Sequence, residues 1–234
     1  MHPYSGDLKS GLKITINLQS EQFECTKKKL MISFVLLLYR NAFQCSINLP
    51  NTLIAMDPIV LISKYYKPKS KAFQILFGHS RAVTDKALKI ALKHSELNPD
   101  LNFIEEAAMV HDIGIFMTNA PDLYCFGDYP YLAHGYLGCE LLTGLGFPEH
   151  GLVCERHTGV GISKEEIVQK NLPLPHRDLI PVSVEEQIIA FADKFYSKST
   201  DVFKEKSLRD IRKSVAVFGK SNLSRFEEWC ELFL

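Results

Sequence analysis

The chain has 234 residues, 46% of them hydrophobic and 23% charged, enough for one substantial domain with a hydrophobic core plus an extension. Its 27 Lys and Arg balance 27 Asp and Glu, which argues against broad electrostatic binding of nucleic acid but leaves room for a local basic pocket. The six cysteines, Cys25, Cys45, Cys125, Cys139, Cys154 and Cys230, form no CxxC pair, so neither a zinc knuckle nor a disulfide framework is indicated and a cytoplasmic setting is expected.

Residues 1–55 are irregular in pattern and basic, with Lys9, Lys13, Lys27, Lys28, Lys29 and Arg40 against Asp7, Glu21 and Glu24. The run "KKKLMISFVLLLYRNAF" (27–43) superficially resembles an export signal. It is shorter than the roughly 20 residues of a membrane-spanning helix and is closed by Arg40, with no small-x-small cleavage site after it. Neither export nor a membrane partner is expected. From Met56 the texture becomes helical, and the functional protein is expected to begin there. The expected organisation is an N-terminal extension over 1–55 and a helical domain over 56–234, with its core at 71–200 and C-terminal helices at 201–234.

A short helix is predicted over 58–66, broken at "KPKS". Residues 71–94 follow as an amphipathic helix whose apolar stripe includes Ile75, Val83, Ala87, Ile90 and Ala91. "FIEEAAMVHDIGI" (103–115) reads as the next helix, with Gly114 as its stop. A loop rich in Tyr, Pro and Asp fills 117–131, and a helix opens at "HGYLGCELLTGLGF". Pro148 begins another helix toward His157, and 158–182 is mostly loop with a helical turn near 163–170. "SVEEQIIAFADKFYS" begins with a capping box, Ser183 and Glu186, and "SRFE" (224–227) offers a second. The fold class is all-α.

Asp193 follows Ile189 by four positions and precedes Tyr196 by three, so it shares a helix face with apolar neighbours. A carboxylate buried there needs a cation or several donors, and a metal ion is one solution. His111 and Asp112 pose the same problem inside an otherwise apolar helix. Adjacent helical side chains diverge by about 100° but can flank one ion in the wedge between them. His79 can offer a third ligand, and with Asp193 the set becomes two imidazoles and two carboxylates, a borderline-hard set suited to iron, manganese or another divalent metal. His134 and His157 lie at helix ends beside glycines, where they could hold a second ion, contact substrate or simply cap their helices. Any one of these histidines taken alone is more often a core or surface residue.

The ordered series His79, His111-Asp112, Asp193, with "HGYLG" at 134 and "RHTG" at 156, resembles the HD-domain phosphohydrolase superfamily over roughly 56–200. "HDIG" (111–114) is the form that names one subset, and the chain looks most similar to small HD proteins related to the bacterial symmetrical diadenosine tetraphosphatases. The resemblance implies an all-α HD-domain helical bundle and a binuclear centre, with iron first and Mn or Mg as other candidates. His79, His111, Asp112 and Asp193 would hold one ion, and Asp112, His134 and His157 the other. Asp112 and Asp193 would be catalytic. The reaction implied is hydrolysis of a phosphate ester or phosphoanhydride, on a nucleotide or dinucleoside polyphosphate. An HD-type di-iron oxygenase and a non-catalytic nucleotide-sensing module are the alternatives.

Beyond the metals, phosphate oxygens need cationic donors. Arg81, Arg156 and Lys194 each lie within two residues of a proposed ligand and are the candidate substrate-binding side chains, with solvated surface charge as the bland reading. "DLYCFGDYPY" (122–131) could stack a base or pack on the core. The expected partner is a small phosphate substrate with no nucleic acid, and a homodimer is compatible. His94, His150 and His176 are read as structural or surface residues, and Cys139 and Cys154 as small core residues.

Overall fold

The computed structural model describes residues 56–198 and 201–234. The basic and apolar stretch 1–55 lies outside the described residues, and so does the expectation attached to it. Helix α1 (Pro58–Tyr65) starts where Asp57 accepts hydrogen bonds from the Ile59 and Val60 amides, both at 3.0 Å, with Pro58 in the first turn. Ser70 caps α2 (Lys71–Lys93) through the Phe73 amide, and Asp100 caps α3 (Leu101–Val110) through the Phe103 amide. Then come α4 (His134–Gly144), α5 (Pro148–Arg156), α6 (Lys164–Gln169), α7 (Val184–Asp193), α8 (Leu208–Ala216) and α9 (Lys220–Phe233). The only strands among the described residues are the two-residue β1 (Asn119–Ala120) and β2 (Cys125–Phe126), paired antiparallel. The fold is all-α, and none of its described helices is long and apolar enough to cross a membrane.

Two apolar clusters hold the helices together. One joins the C-terminal half of α2 (Val83, Ala87, Ile90) to α3, α7, α8 and α9. In it the Phe191 ring meets those of Phe226, Phe233 and Trp229 at 5.6, 5.5 and 6.4 Å between centroids. The other joins α1 and the start of α2 (Leu76) to Val110, Ile113, Leu142 and Cys154. Three helices bridge the clusters: α2 places His79 and Ser80 between Leu76 and Val83, α3 supplies Ile104, Ala107 and Ala108 to one cluster and Met109 and Val110 to the other, and α5 supplies Val153 to the first and Cys154 to the second. The polar centre described below is set at this seam.

Three helix boundaries differ from expectation. Helix α3 stops at Val110, one residue before the histidine, and a 3-10 turn covers Ile113–Met117. Helix α7 stops at Asp193 instead of running on to Ser197. The "SRFE" segment is no start at all, because α9 begins at Lys220. Ser224 sits within that helix and Glu227 pairs with Arg212 of α8 at 2.7 Å. The Ser183 cap does form, accepting from the Glu186 amide at 3.2 Å. Glu186 reaches the Val182 amide and Arg156 rather than closing the box on Ser183.

Candidate metal centre

His79, His111, Asp112, His134, His157 and Asp193 come from five separate elements, and all six are buried. Their convergence depends on where the helices end. His111 is the C-cap of α3, and Asp112, with φ −105° and ψ 8°, has left the helix for the bridge region of backbone space. The two side chains therefore turn into the same space, a stronger convergence than neighbouring positions on a continuous helix allow. His134 opens α4, His157 caps α5 and Asp193 is the last residue of α7.

Glycines set the spacing. A Cβ on Gly114 would lie 2.2 Å from the His134 carbonyl oxygen and 2.6 Å from the Gly138 amide nitrogen. A Cβ on Gly135 would lie 2.6 Å from the Cys154 carbonyl oxygen. The backbones of the 3-10 turn, α4 and α5 thus touch directly, which brings His134 and His157 to Asp112. Glycine is needed here for close approach.

Asp112 lies at the middle of the set. Its Oδ2 is 3.1 Å from His111 Nε2 and 3.4 Å from His79 Nε2. Its Oδ1 is 3.4 Å from His134 Nε2 and 3.4 Å from His157 Nε2. Asp193 closes the first side, with Oδ1 at 3.0 Å from His79 Nε2 and 3.7 Å from His111 Nε2. Each carboxylate oxygen of Asp112 thus faces its own pair of imidazoles.

The tautomers of three rings are fixed from behind. His111, His134 and His157 place Nδ1 at 2.6, 2.7 and 2.7 Å from the carbonyl oxygens of Ala108, Tyr131 and Cys154, in each case three residues earlier. A carbonyl can only accept, so Nδ1 carries the proton and a neutral ring turns a bare Nε2 lone pair inward. Burial, the largest influence on each, lowers His134 to about 3, His79 to about 4 and also His157, so these rings are neutral near pH 7. His134 Nε2 and His157 Nε2 then stand 3.2 Å apart, both beside Asp112 Oδ1, with no proton to share. Three lone-pair atoms that close repel one another unless a cation lies among them.

Asp112 Oδ1 and His79 Nδ1 are buried without a hydrogen-bond partner among the described residues, while Asp112 Oδ2 has the Lys198 ammonium at 2.8 Å and His111 Nε2 at 3.1 Å. Buried polar atoms left this way are costly. Ligand atoms of His79, His111 and Asp193, and of His111, Asp112 and His157, lie within 4.8 Å of one another. Buried imidazoles and carboxylates of this kind could hold a divalent metal, and the donor set fits one. Burial pushes His111 down, but the Asp112 and Asp193 carboxylates outweigh it and raise the ring to about 9. A cation taking Nε2 would release that proton. Asp112 and Asp193 are held well below the usual carboxylate range: burial opposes ionisation, and His111 with Lys198 on one, and Lys194 with Lys198 on the other, override it.

The candidate phosphate-binding cations divide. Lys194 is at the centre, its Nζ 2.9 Å from Asp193 Oδ2. Arg81 instead points to Asp85 at 3.1 Å on an exposed part of α2. Arg156 makes two bonds to the Glu186 carboxylate, at 2.9 and 3.0 Å, which fasten α5 to α7. The structure brings neither arginine to the six side chains. In the aromatic loop, Leu123 and Cys125 are buried, Tyr124 and Phe126 are exposed, and Tyr131 stacks on His134 at 4.8 Å. A cation absent from the sequence-based set is present as well: Lys198 Nζ lies 2.8 Å from Asp112 Oδ2. Helical periodicity could not find it, because α7 has ended by then.

The sequence profile of the HD domain matches residues 76–197. The chain is 36% identical over 118 residues to an uncharacterized protein of Methanocaldococcus jannaschii, covering 49% of this chain and 62% of that protein. It is 28% identical over 161 residues to a tRNA (cytidine(56)-2'-O)-methyltransferase of Thermoplasma volcanium, covering 65% of this chain and 43% of that protein. A protein of the same name from Picrophilus torridus is 31% identical over 132 residues, 52% of this chain and 35% of that one. The chain thus spans less than two thirds of the length of each of these relatives. No solved structure matches. HD domains are in general metal-dependent hydrolases that bind divalent ions. All six converging side chains fall within the matched stretch, which takes in just over half of the sequence, and the chain belongs to the HD-domain family.

Proposed function

We propose that this protein is a phosphohydrolase with two divalent ions, iron first among them, that cleaves a phosphate ester or phosphoanhydride of a small nucleotide, dinucleoside polyphosphates included. The observation that carries the proposal is the division of Asp112, with Oδ2 toward His79 and His111 and Oδ1 toward His134 and His157. A carboxylate so placed would suit two ions, one on each side of it. His79, His111, Asp112 and Asp193 would hold one ion, and Asp112, His134 and His157 the other. When bound, such a pair supplies Lewis acidity: it makes water acidic enough to attack phosphorus near neutral pH and offsets charge on the phosphoryl oxygens.

The chain's own groups do the rest. The carbonyls of Ala108, Tyr131 and Cys154 orient three imidazoles so that their lone pairs face inward. Asp112 fixes the spacing between the two sides. Asp193, with Oδ1 toward His79 and Oδ2 toward Lys194, is assigned the proton from the attacking water. Lys194 is the ammonium available to a phosphoryl oxygen. The methyl transfer named for two relatives belongs to proteins of which this chain covers 43% and 35%, and it is not carried over.

The test is anaerobic purification with iron or manganese, followed by a screen of nucleotides, dinucleoside polyphosphates and simple phosphate esters. Release of phosphate, or of a nucleoside diphosphate from a dinucleoside polyphosphate, is expected. Oxygen uptake without phosphate release would point to an oxygenase instead, and nucleotide binding without turnover to a sensor.

A further inference from the structure

Lys198 occupies a place that an ion would also claim. Its Nζ is 2.8 Å from Asp112 Oδ2 and 4.0 Å from Asp193 Oδ1, the two oxygens that face His79 and His111. The side chain is 15% exposed, so the stem enters from the rim and the ammonium ends among the carboxylates. The residue follows the end of α7, outside any helix. Its long stem can therefore re-aim without disturbing a helical ladder. Lysine suits such a move: its ammonium is a compact charge with three rotatable donors on a flexible chain, where arginine would present a rigid fork. An ammonium and a divalent ion compete for Oδ2 of Asp112, since their charges repel at close range. Binding of either therefore weakens the hold on the other.

We propose that Lys198 is an exchanging counter-ion, neutralising Asp112 and Asp193 before metal is loaded and turning its ammonium to a phosphoryl oxygen of the substrate once metal takes those carboxylates. The inference rests on the metal-centre reading above and adds a residue to it. The direction of the swing follows from what surrounds the rim. Lys194 is the neighbouring cation already at Asp193 Oδ2, and Tyr131 is stacked on His134. A displaced ammonium leaving the carboxylates meets the anionic part of a bound substrate at this edge, and two lysines there favour a group carrying more than one negative charge.

Titration of the wild-type chain, Lys198→Met and Lys198→Arg with Mn²⁺, followed by inorganic phosphate on the Mn²⁺-loaded proteins, tests it by calorimetry without any turnover. Lys198→Met is expected to bind Mn²⁺ at least about fivefold more tightly and phosphate at least about tenfold more weakly than wild type. Lys198→Arg, which keeps the charge, is expected to bind Mn²⁺ within about twofold of wild type and remains informative if the methionine variant does not fold. An arginine variant whose Mn²⁺ affinity rises as sharply as that of the methionine variant would overturn the exchange. In Lys198→Met, unchanged or weaker Mn²⁺ binding, or either change without the other, would overturn it too. Failure of the metal-centre reading shows separately, as wild-type protein that takes up no Mn²⁺.

Discussion

Asp112→Ala is expected to lose both metal ions and at least about a thousandfold in turnover, on the order of 4 kcal/mol in the activation barrier. Among the described residues Asp112 is the carboxylate within 3.4 Å of all four imidazoles: its Oδ2 serves His79 and His111, and its Oδ1 serves His134 and His157. Removing it leaves the Lys198 ammonium and a protonated His111 without their nearest anion. Truncating one member of a buried charge pair costs roughly 3–5 kcal/mol when the survivor stays buried. Lys198 can withdraw toward water, which reduces that cost. Asp112→Asn loses the same charge but keeps the volume, which removes the cavity cost: it should melt above Asp112→Ala and still fail to hold two ions. Metal analysis and phosphate release on both variants check this. An active variant free of metal would contradict the proposed role.

Gly114→Ala is expected to lower stability by roughly 3 kcal/mol or more, since overpacking of a close backbone contact has no flexible neighbour to absorb it. The added Cβ would fall 2.2 Å from the His134 carbonyl oxygen and 2.6 Å from the Gly138 amide nitrogen, so α4 itself has to move. For a domain of this size the loss corresponds to about 6–12 °C in Tm. Because α4 begins at His134, the displacement also draws that imidazole away from Asp112. Gly144→Ala is the control. Nothing lies within 4 Å of a Cβ there, and the position is helical, so its Tm should match or slightly exceed wild type. Thermal melts of the two variants give the comparison, and equal Tm values would show that the close packing of Gly114 does not matter.

The six converging residues were legible in the sequence for a physical reason. Histidines and aspartates inside apolar stretches call for a partner, and the resemblance to the HD-domain family joins all six into one set. The glycines beside His134 signal close approach, whereas Gly114 reads as a helix stop and its backbone contact emerges only from the structure. The helical class was legible from periodicity, and the cap at Ser183 from its side chain, whereas the caps at Ser70 and Asp100 emerge only from the structure. What periodicity hides is the end of a helix. His111 and Asp112 read as helical because "FIEEAAMV" before them is, yet the chain leaves the helix at Val110 and Asp112 takes a bridge conformation. The same ambiguity extended α7 beyond Asp193 and concealed Lys198.

Sequence adjacency also misleads for long cations. Arg81 and Arg156 lie beside proposed ligands in sequence but turn to Asp85 and Glu186, because a residue next to a ligand on a helix points about 100° or more away from it. Lys194 reaches its neighbour's carboxylate although its backbone is still helical, at φ −60° and ψ −27°, because its stem is long and flexible enough to bend back. The half-formed box at Ser183 has a related cause. Glu186 is buried and serves as the anchor for Arg156, and that charge-assisted pair takes precedence over a return bond to the helix start.

The most direct measurement is anomalous X-ray diffraction from crystals of the Mn²⁺- or iron-loaded protein. Two peaks about 3.5–4 Å apart on either side of the Asp112 carboxylate are predicted, one against His79, His111 and Asp193 and the other against His134 and His157. Metal-saturated crystals with no peak between those side chains, or with ions bound only elsewhere, would contradict the account.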